Sequence, residues 1–114
     1  MSKRTEEDFL NDILDAMQKI ASYTLDMTYE DFLEDTKTQD AVIRNIEIIG
    51  EAAKNISDRG KDKNTTIPWK PIAGMRDRLI HGYFGVNIDI VWGVVSGDLP
   101  QLENQIRQMM KAVL

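Results

Sequence analysis

An all-α fold, a small up-and-down bundle of roughly four to five main helices, is what three observations in the sequence predict. Apolar residues recur at three- and four-residue intervals through most of the 114 positions, the period of a helix with one buried face. Thr or Asn stands just ahead of several of these stripes, where a side-chain oxygen satisfies the exposed N–H groups of a first turn. The one β-branched stretch that suits a strand, residues 88–95, has no partner strand elsewhere, and a lone strand leaves its backbone polar groups unpaired.

The elements follow in order. Thr5-Glu6-Glu7-Asp8 opens the first helix, with Thr5 as cap and Asp8 in the capping-box position. Phe9, Ile13, Met17, Ile20 and Thr24 then form a stripe, with Leu10, Leu14 and Ala21 beside it, and predict a helix over residues 5–25. Thr28-Tyr29-Glu30-Asp31 repeats the cap signal and predicts a short helix over 29–34 carrying Phe32 and Leu33. Thr36 or Thr38 begins a second long helix on the stripe Val42, Ile46, Ile49, Ala53 and Ile56, with Ile43 alongside. Gly50 lies inside that pattern, where Gly is less favourable than Ala by about 1 kcal/mol, and suggests close approach of another backbone.

Residues 57–66, SDRGKDKNTT, are polar, hold a Gly and read as a loop. Proline is tolerated in a first helical turn, so a third helix is expected from near Pro68 to about Ile80. His81-Gly82-Tyr83-Phe84-Gly85 closes it, because two glycines in four residues favour a turn. Asn87 caps a fourth helix with Ile88, Ile90, Val91, Trp92, Val94 and Val95. Gly97-Asp98 is expected to break it, and Leu99-Pro100 to start a last helix with Leu102, Ile106, Met109, Met110 and Val113.

The length fits one domain, 1–114, able to bury about two-thirds of its unfolded surface. Cys is absent, which excludes disulfides, thiolate metal sites and a Cys nucleophile, and fits a reducing cytoplasm. A single His excludes a site needing two imidazoles from one chain, and no metal or cofactor is expected. Lys and Arg number 14 against 19 Asp and Glu, a net charge of −5, unlike a strongly basic nucleic-acid binder. Met1-Ser2-Lys3-Arg4 is followed at once by acids rather than an apolar run, so no secretory leader is expected. The apolar stretches are too short to span a bilayer. The expectation is a cytoplasmic protein without a membrane partner.

The inventory narrows the chemistry to one segment. His81 follows Arg76 by five residues and precedes Tyr83 by two. An imidazole exchanges protons near neutral pH, and a guanidinium offers a permanent charge with a planar fork for phosphate. Arg76 and His81 at a helix end therefore suit a phosphodiester site needing no metal if the ribose 2′-hydroxyl is the nucleophile. The plainer reading stands beside it: His81 complements a helix C-terminus, and Arg76 pairs with Asp77 or another acid.

Arg76-Asp77-Arg78-Leu79-Ile80-His81-Gly82-Tyr83-Phe84 resembles the signature of the HEPN superfamily, and more closely that of the HepT-like ribonuclease toxins: Arg, four residues, His, one residue, Tyr, with a polar residue directly after the Arg, here Asp77. Arg44 to Ala53, Ile67-Pro68-Trp69, Ile72-Ala73-Gly74-Met75 and the stretch from Trp92 to Leu102 are similar to the family as well, so the likeness covers nearly the whole chain.

The resemblance implies a HEPN-like helical fold and a metal-independent endoribonuclease, the toxin of a type VII toxin–antitoxin pair. Its antitoxin would be an MntA-like nucleotidyltransferase that transfers AMP to the motif tyrosine. It implies Arg76 and His81 as catalytic residues, Tyr83 as AMP acceptor, and a homodimer whose two motifs face one cleft and so supply two imidazoles. RNA is the implied substrate. Asp77, Arg78 and Glu51 are supporting candidates: Asp77 to orient Arg76, Arg78 to meet a phosphate, Glu51 to line the cleft. For these three a solvated surface role is the competing reading. Arg44, Glu47 and Glu51, at helical spacing, also suit a salt-bridge row. Trp69 and Trp92 read as core anchors, and Met109 and Met110 as core or dimer contacts. The alternative function is a non-catalytic HEPN dimer that binds a nucleotidyltransferase as an interaction module. An intact Arg76/His81 pair favours the enzyme.

Overall fold

The computed structural model describes residues 4–79 and 86–113, and of Arg76 and Val113 the backbone alone. The regular elements in these residues are all helical: α1 (Glu6–Tyr23), α2 (Tyr29–Leu33), α3 (Thr36–Lys54), α4 (Asp58–Lys63), α5 (Trp69–Ala73), α6 (Met75–Leu79), α7 (Ile88–Gly93) and α8 (Leu99–Val113). The all-α expectation holds. α3 packs along α1, α8 packs against α1, and α5 and α6 pack against α3. Their apolar stripes meet in one core that includes Leu10, Ile13, Met17, Ile20, Phe32, Val42, Ile46, Ile49, Met75, Leu79 and Ile106, each 2 % exposed or less. Each such side chain contributes roughly 1.5–3 kcal/mol by leaving water.

The first caps form as the sequence dictates. Thr5 accepts from the Asp8 N–H while the Asp8 carboxylate accepts from the Thr5 N–H, and Thr28 and Asp31 repeat the arrangement on α2. The hydrogen bonds to Thr5 hold the Asp8 carboxyl below the ordinary carboxylate value. α3 begins at Thr36 with Asp35 as its cap, accepting from the Thr38 N–H and hydroxyl.

Three expectations are corrected. The polar stretch 57–66 holds α4 rather than a plain loop. Ser57 caps it by accepting from the Gly60 N–H, and Glu6 of α1 accepts from both the Ser57 N–H and its hydroxyl. A β-carbon on Gly60 would stand 2.7 Å from the Glu6 carboxylate, so a side chain there would push that carboxylate off its bonds with Ser57. That long-range anchor leaves no periodic trace in a polar decapeptide.

The expected single helix from Pro68 to Ile80 is two short ones: α5 ends at a Gly74 cap, and α6 restarts at Met75. Gly50 explains why the pair fits. A β-carbon there would meet the backbone carbonyl oxygens of Ala73 and Ile72 at 3.4 and 3.5 Å, the close approach that a mid-helix glycine suggests.

Gly97-Asp98 does not break the chain. α7 runs through a π-helical turn, Val94–Asp98, into α8, with the Leu99 N–H reaching the Val94 carbonyl. Pro100 gives the reason. It has no N–H for the Ser96 carbonyl and its ring would crowd that group, and a widened turn relieves both. Val94, Leu99 and Leu102 hold the turn by being buried on either side of it.

Candidate functional site

The segment singled out by the sequence begins in α6. The Arg76 backbone stands in the first turn of that helix, whose Met75 and Leu79 point into the core at 2 % and 1 % exposure. The helix is anchored by these two residues, four apart on one face, while Asp77 and Arg78 are exposed. Successive helical positions turn by about 100°, so positions 76 and 78 fall on opposite flanks of α6 and cannot serve one phosphate from the same side. His81 and Tyr83, the other two motif positions, lie outside the described residues.

The two ends of the interval that carries positions 81 and 83 are tied together. The Asn87 N–H donates to the Leu79 carbonyl at 3.0 Å, so the chain leaves α6 and returns to the same point. Asn87 then caps α7 by accepting from the Ile90 N–H. Beyond it, the Tyr29 hydroxyl of α2 donates to the Asp89 carboxylate in the first turn of α7, and that bond raises the Tyr29 pKa above its ordinary value. Trp92 packs at 5.1 Å from Phe32 and edge-on to Tyr29 at 6.3 Å. α2 thus holds the helix on which the motif interval ends. Tyr29 and Asp89 are 60 positions apart, and no local pattern announces their pairing.

Glu51 lies elsewhere. It borders a groove of about 540 Å³ between the start of α1 and one face of α3, with Arg4, Phe9, Asp12, Arg44 and Glu47. No described side chain of α6 lines this groove. Its charges are paired: Arg4 with Asp12, Arg44 with Glu47 at 3.6 Å and Lys54 with Glu51 at 4.0 Å. Of the row the spacing suggests, Arg44 and Glu47 do pair, while Glu51 turns to Lys54 instead; such solvent-facing pairs each contribute at most about 1 kcal/mol. The Arg4 guanidinium also covers the Phe9 ring at 5.1 Å.

Arg78 borders a second groove, of about 320 Å³, between α6 and α8, with Asp98, Gln101 and Gln105 on the facing wall. The three facing residues carry no sequence motif. Trp69 is buried with its indole N–H donating to the Asn64 carbonyl at 3.1 Å, and Met109 and Met110 are buried. These are core residues.

Position 76 stands in the first turn of α6, and the chain's single histidine follows five positions on. Among the described residues no group of acids is placed to hold a metal ion. No helix among them is long and apolar enough to cross a membrane. The model of a family described as ribonuclease HepT-like matches residues 13–109. The chain is 47% identical over 109 residues to a protein of Thermococcus cleftensis named "Probable ribonuclease HepT", covering 96% of this chain and 99% of that one. It is 44% identical over 113 residues to a protein of Methanocaldococcus jannaschii, covering 99% and 93% of the two chains. It is 39% identical over 108 residues to one of Caldanaerobacter subterraneus, covering 95% and 96%. Both of the latter names carry the words "Putative RNase". No solved structure matches the chain.

Proposed function

The chain belongs to the ribonuclease HepT-like family, and from that premise we propose that it is an endoribonuclease whose catalytic residues are Arg76 and His81. The observation that carries this reading is the order Arg76, four residues, His81, one residue, Tyr83, with position 76 on α6 and the end of that helix, Leu79, bonded through its carbonyl to the Asn87 N–H.

The reaction follows from the residue types. The ribose 2′-oxygen attacks the adjacent phosphorus and the bond to the 5′-oxygen of the next nucleotide breaks. One imidazole takes the proton from the 2′-hydroxyl and another gives a proton to the departing 5′-oxygen. The products are a 2′,3′-cyclic phosphate and a 5′-hydroxyl. Arg76 stabilises the charge that develops on the non-bridging oxygens. The nucleophile is part of the substrate, so the scheme uses no metal and no cofactor. One chain carries one His, and two copies facing each other across a cleft supply the second. Asp77 adjoins Arg76 as an orienting group, and Glu51 as a cleft residue belongs to the same reading.

The biological setting in this reading is a type VII toxin–antitoxin pair in the cytoplasm. An MntA-like nucleotidyltransferase transfers AMP to Tyr83. The added phosphate brings bulk and negative charge beside Arg76 and His81, excluding an RNA phosphate by occupancy and repulsion.

Purified protein should cleave RNA in the presence of a chelator and leave cyclic-phosphate ends. Arg76→Ala and His81→Ala should each remove cleavage while leaving the circular dichroism spectrum and melting temperature in place. Cleavage at the wild-type rate by both variants overturns the assignment. A fold that binds a nucleotidyltransferase but never cuts RNA would point to the non-catalytic module instead. Mass spectrometry of Tyr83 after incubation with an MntA-like nucleotidyltransferase and ATP tests the AMP transfer.

A further inference from the structure

We propose that the groove between α6 and α8 holds one nucleotide of the RNA substrate next to the scissile phosphate, and that its wall on α8 reads the base. The proposal rests on the ribonuclease reading above and extends it to a part of the surface that the motif does not include.

The groove has the make-up of a small-ligand pocket: an apolar floor with a few polar groups converging on it. Ile72 and Met75 form the floor, each 2 % exposed. Arg78 stands on one wall, and Asp98, Gln101 and Gln105 on the other. Its volume, about 320 Å³, lies at the small end of the range for such pockets and suits one base with its sugar. Pro68, Pro71 and Leu102 complete the apolar part of the lining, and the polar groups of Arg78, Asp98, Gln101 and Gln105 are set around it. A docked protein helix would instead need an apolar stripe along several turns.

Each wall group has a match on a nucleotide. Among the described residues the Arg78 guanidinium has no ion-pair partner, so it is available to a phosphate. The Gln105 amide is held in place, because its Nε2 donates to the Thr66 carbonyl at 3.1 Å. Its carbonyl oxygen is left to accept. Gln101 stands one turn before it on the same face of α8 and is exposed. Asp98 supplies a carboxylate for an exocyclic amine, and a Gln amide can pair with N6 and N7 on one edge of adenine at once. A second observation sets Asp98 and Gln101 in this register. The π-helical turn Val94–Asp98 ends at Asp98. An extra residue in a turn rotates everything after it by about 100°. That rotation carries Leu102 and Ile106 into the core and leaves Gln101 and Gln105 beside the groove.

The position ties the groove to cleavage. α6 carries Arg76 on one flank and Arg78 on the other, so a strand crossing the helix meets Arg76 with one phosphate and Arg78 with the neighbouring one. The base between them then enters the groove.

The test is the cleavage profile of a randomised RNA pool, sequenced for the wild type and for Asp98→Asn, Gln101→Ala and Arg78→Ala. In the wild type one position flanking the cut should show a base preference. Asp98→Asn and Gln101→Ala should relax or shift it by about fivefold or more, and Arg78→Ala should raise KM with the preference at other positions unchanged. A profile identical to the wild type in all three variants overturns the proposal. Failure of the ribonuclease reading itself looks different, as no cleavage of any pool. For that case binding is read directly: a 2′-O-methyl oligonucleotide, which cannot be cut, should shift the nuclear magnetic resonance signals of the Met75 methyl and the Gln105 side-chain amide. Absence of those shifts at saturating oligonucleotide overturns the proposal whatever the cleavage assay shows.

Discussion

Replacing Gly50 with Val tests how α6, the helix that carries position 76, is placed. The backbone at this point of α3 runs against the end of α5, and a β-carbon at position 50 already stands 3.4 Å from the Ala73 carbonyl oxygen and 3.5 Å from that of Ile72. Both neighbours are backbone atoms, which cannot rotate away. A methyl at this distance is near ordinary van der Waals contact, so Gly50→Ala should be neutral or stabilise by up to about 1 kcal/mol through helix propensity. Valine adds two γ-carbons beyond the β-carbon, and at least one must enter the space of those carbonyls. Overpacking of this kind destabilises by about 1–3 kcal/mol, offset by a few tenths from leaving glycine. The net expectation is a loss of about 1–2 kcal/mol, or a fall in melting temperature of about 4–16 °C for a domain of this size. Ala73 precedes Gly74 and α6 directly, so the displacement also moves the turn that carries Arg76. RNA cleavage should therefore fall in Gly50→Val by more than the folded fraction accounts for, and stay near wild type in Gly50→Ala. The assay pairs urea denaturation with cleavage of a labelled oligonucleotide at a temperature where both variants are folded. Wild-type stability and rate in Gly50→Val would refute the idea that α3 and α5 meet backbone to backbone.

Other outcomes are expected on the same reasoning. Phe32→Ala removes a fully buried ring beside Trp92 and should destabilise by about 3–5 kcal/mol, with a change in tryptophan fluorescence in the folded baseline. Glu6→Ala removes the acceptor of the Ser57 N–H and hydroxyl and should destabilise by about 1–2 kcal/mol. Amide exchange should quicken first in α4, where hydrogen-exchange mass spectrometry will find it. The Asp8 and Asp35 carboxyls ionise below their ordinary value of 3.8, Asp8 through its bonds with Thr5 and Asp35 through those with Thr38. A depressed folded pKa adds stability that is present above the unfolded value and is lost as pH falls through the folded one. Asp8→Asn and Asp35→Asn should therefore be less stable than wild type at neutral pH, and the gap should close below the ordinary carboxylate value in urea titrations run across that range.

The corrections to the sequence reading share a cause. Thr5, Thr28 and Asn87 were legible as caps because a cap is a contact between residues three apart, and the stripes of α1, α3 and α8 were legible because burial follows the helical period. α4 was not, because Ser57 is held by a carboxylate 51 positions away. The continuity of α7 and α8 was not, because burial of Val94 and Leu99 on either side outweighs a local glycine.

For the site, the inventory supplies one His, an Arg five positions before it and no Cys, which leaves a helix-cap reading open, and it is the order Arg76, His81, Tyr83 that resembles the HepT-like signature. The order of residue types is a covalent fact, and it fixes which chemistry is within reach. What the folded chain decided is direction and neighbourhood. α6 turns positions 76 and 78 to opposite flanks, Gly50 sets how closely that helix seats on α3, and the π-helical turn brings Asp98 and Gln101 to face Arg78. These depend on contacts between residues far apart in the chain, whose energies exist only once the core has brought them together.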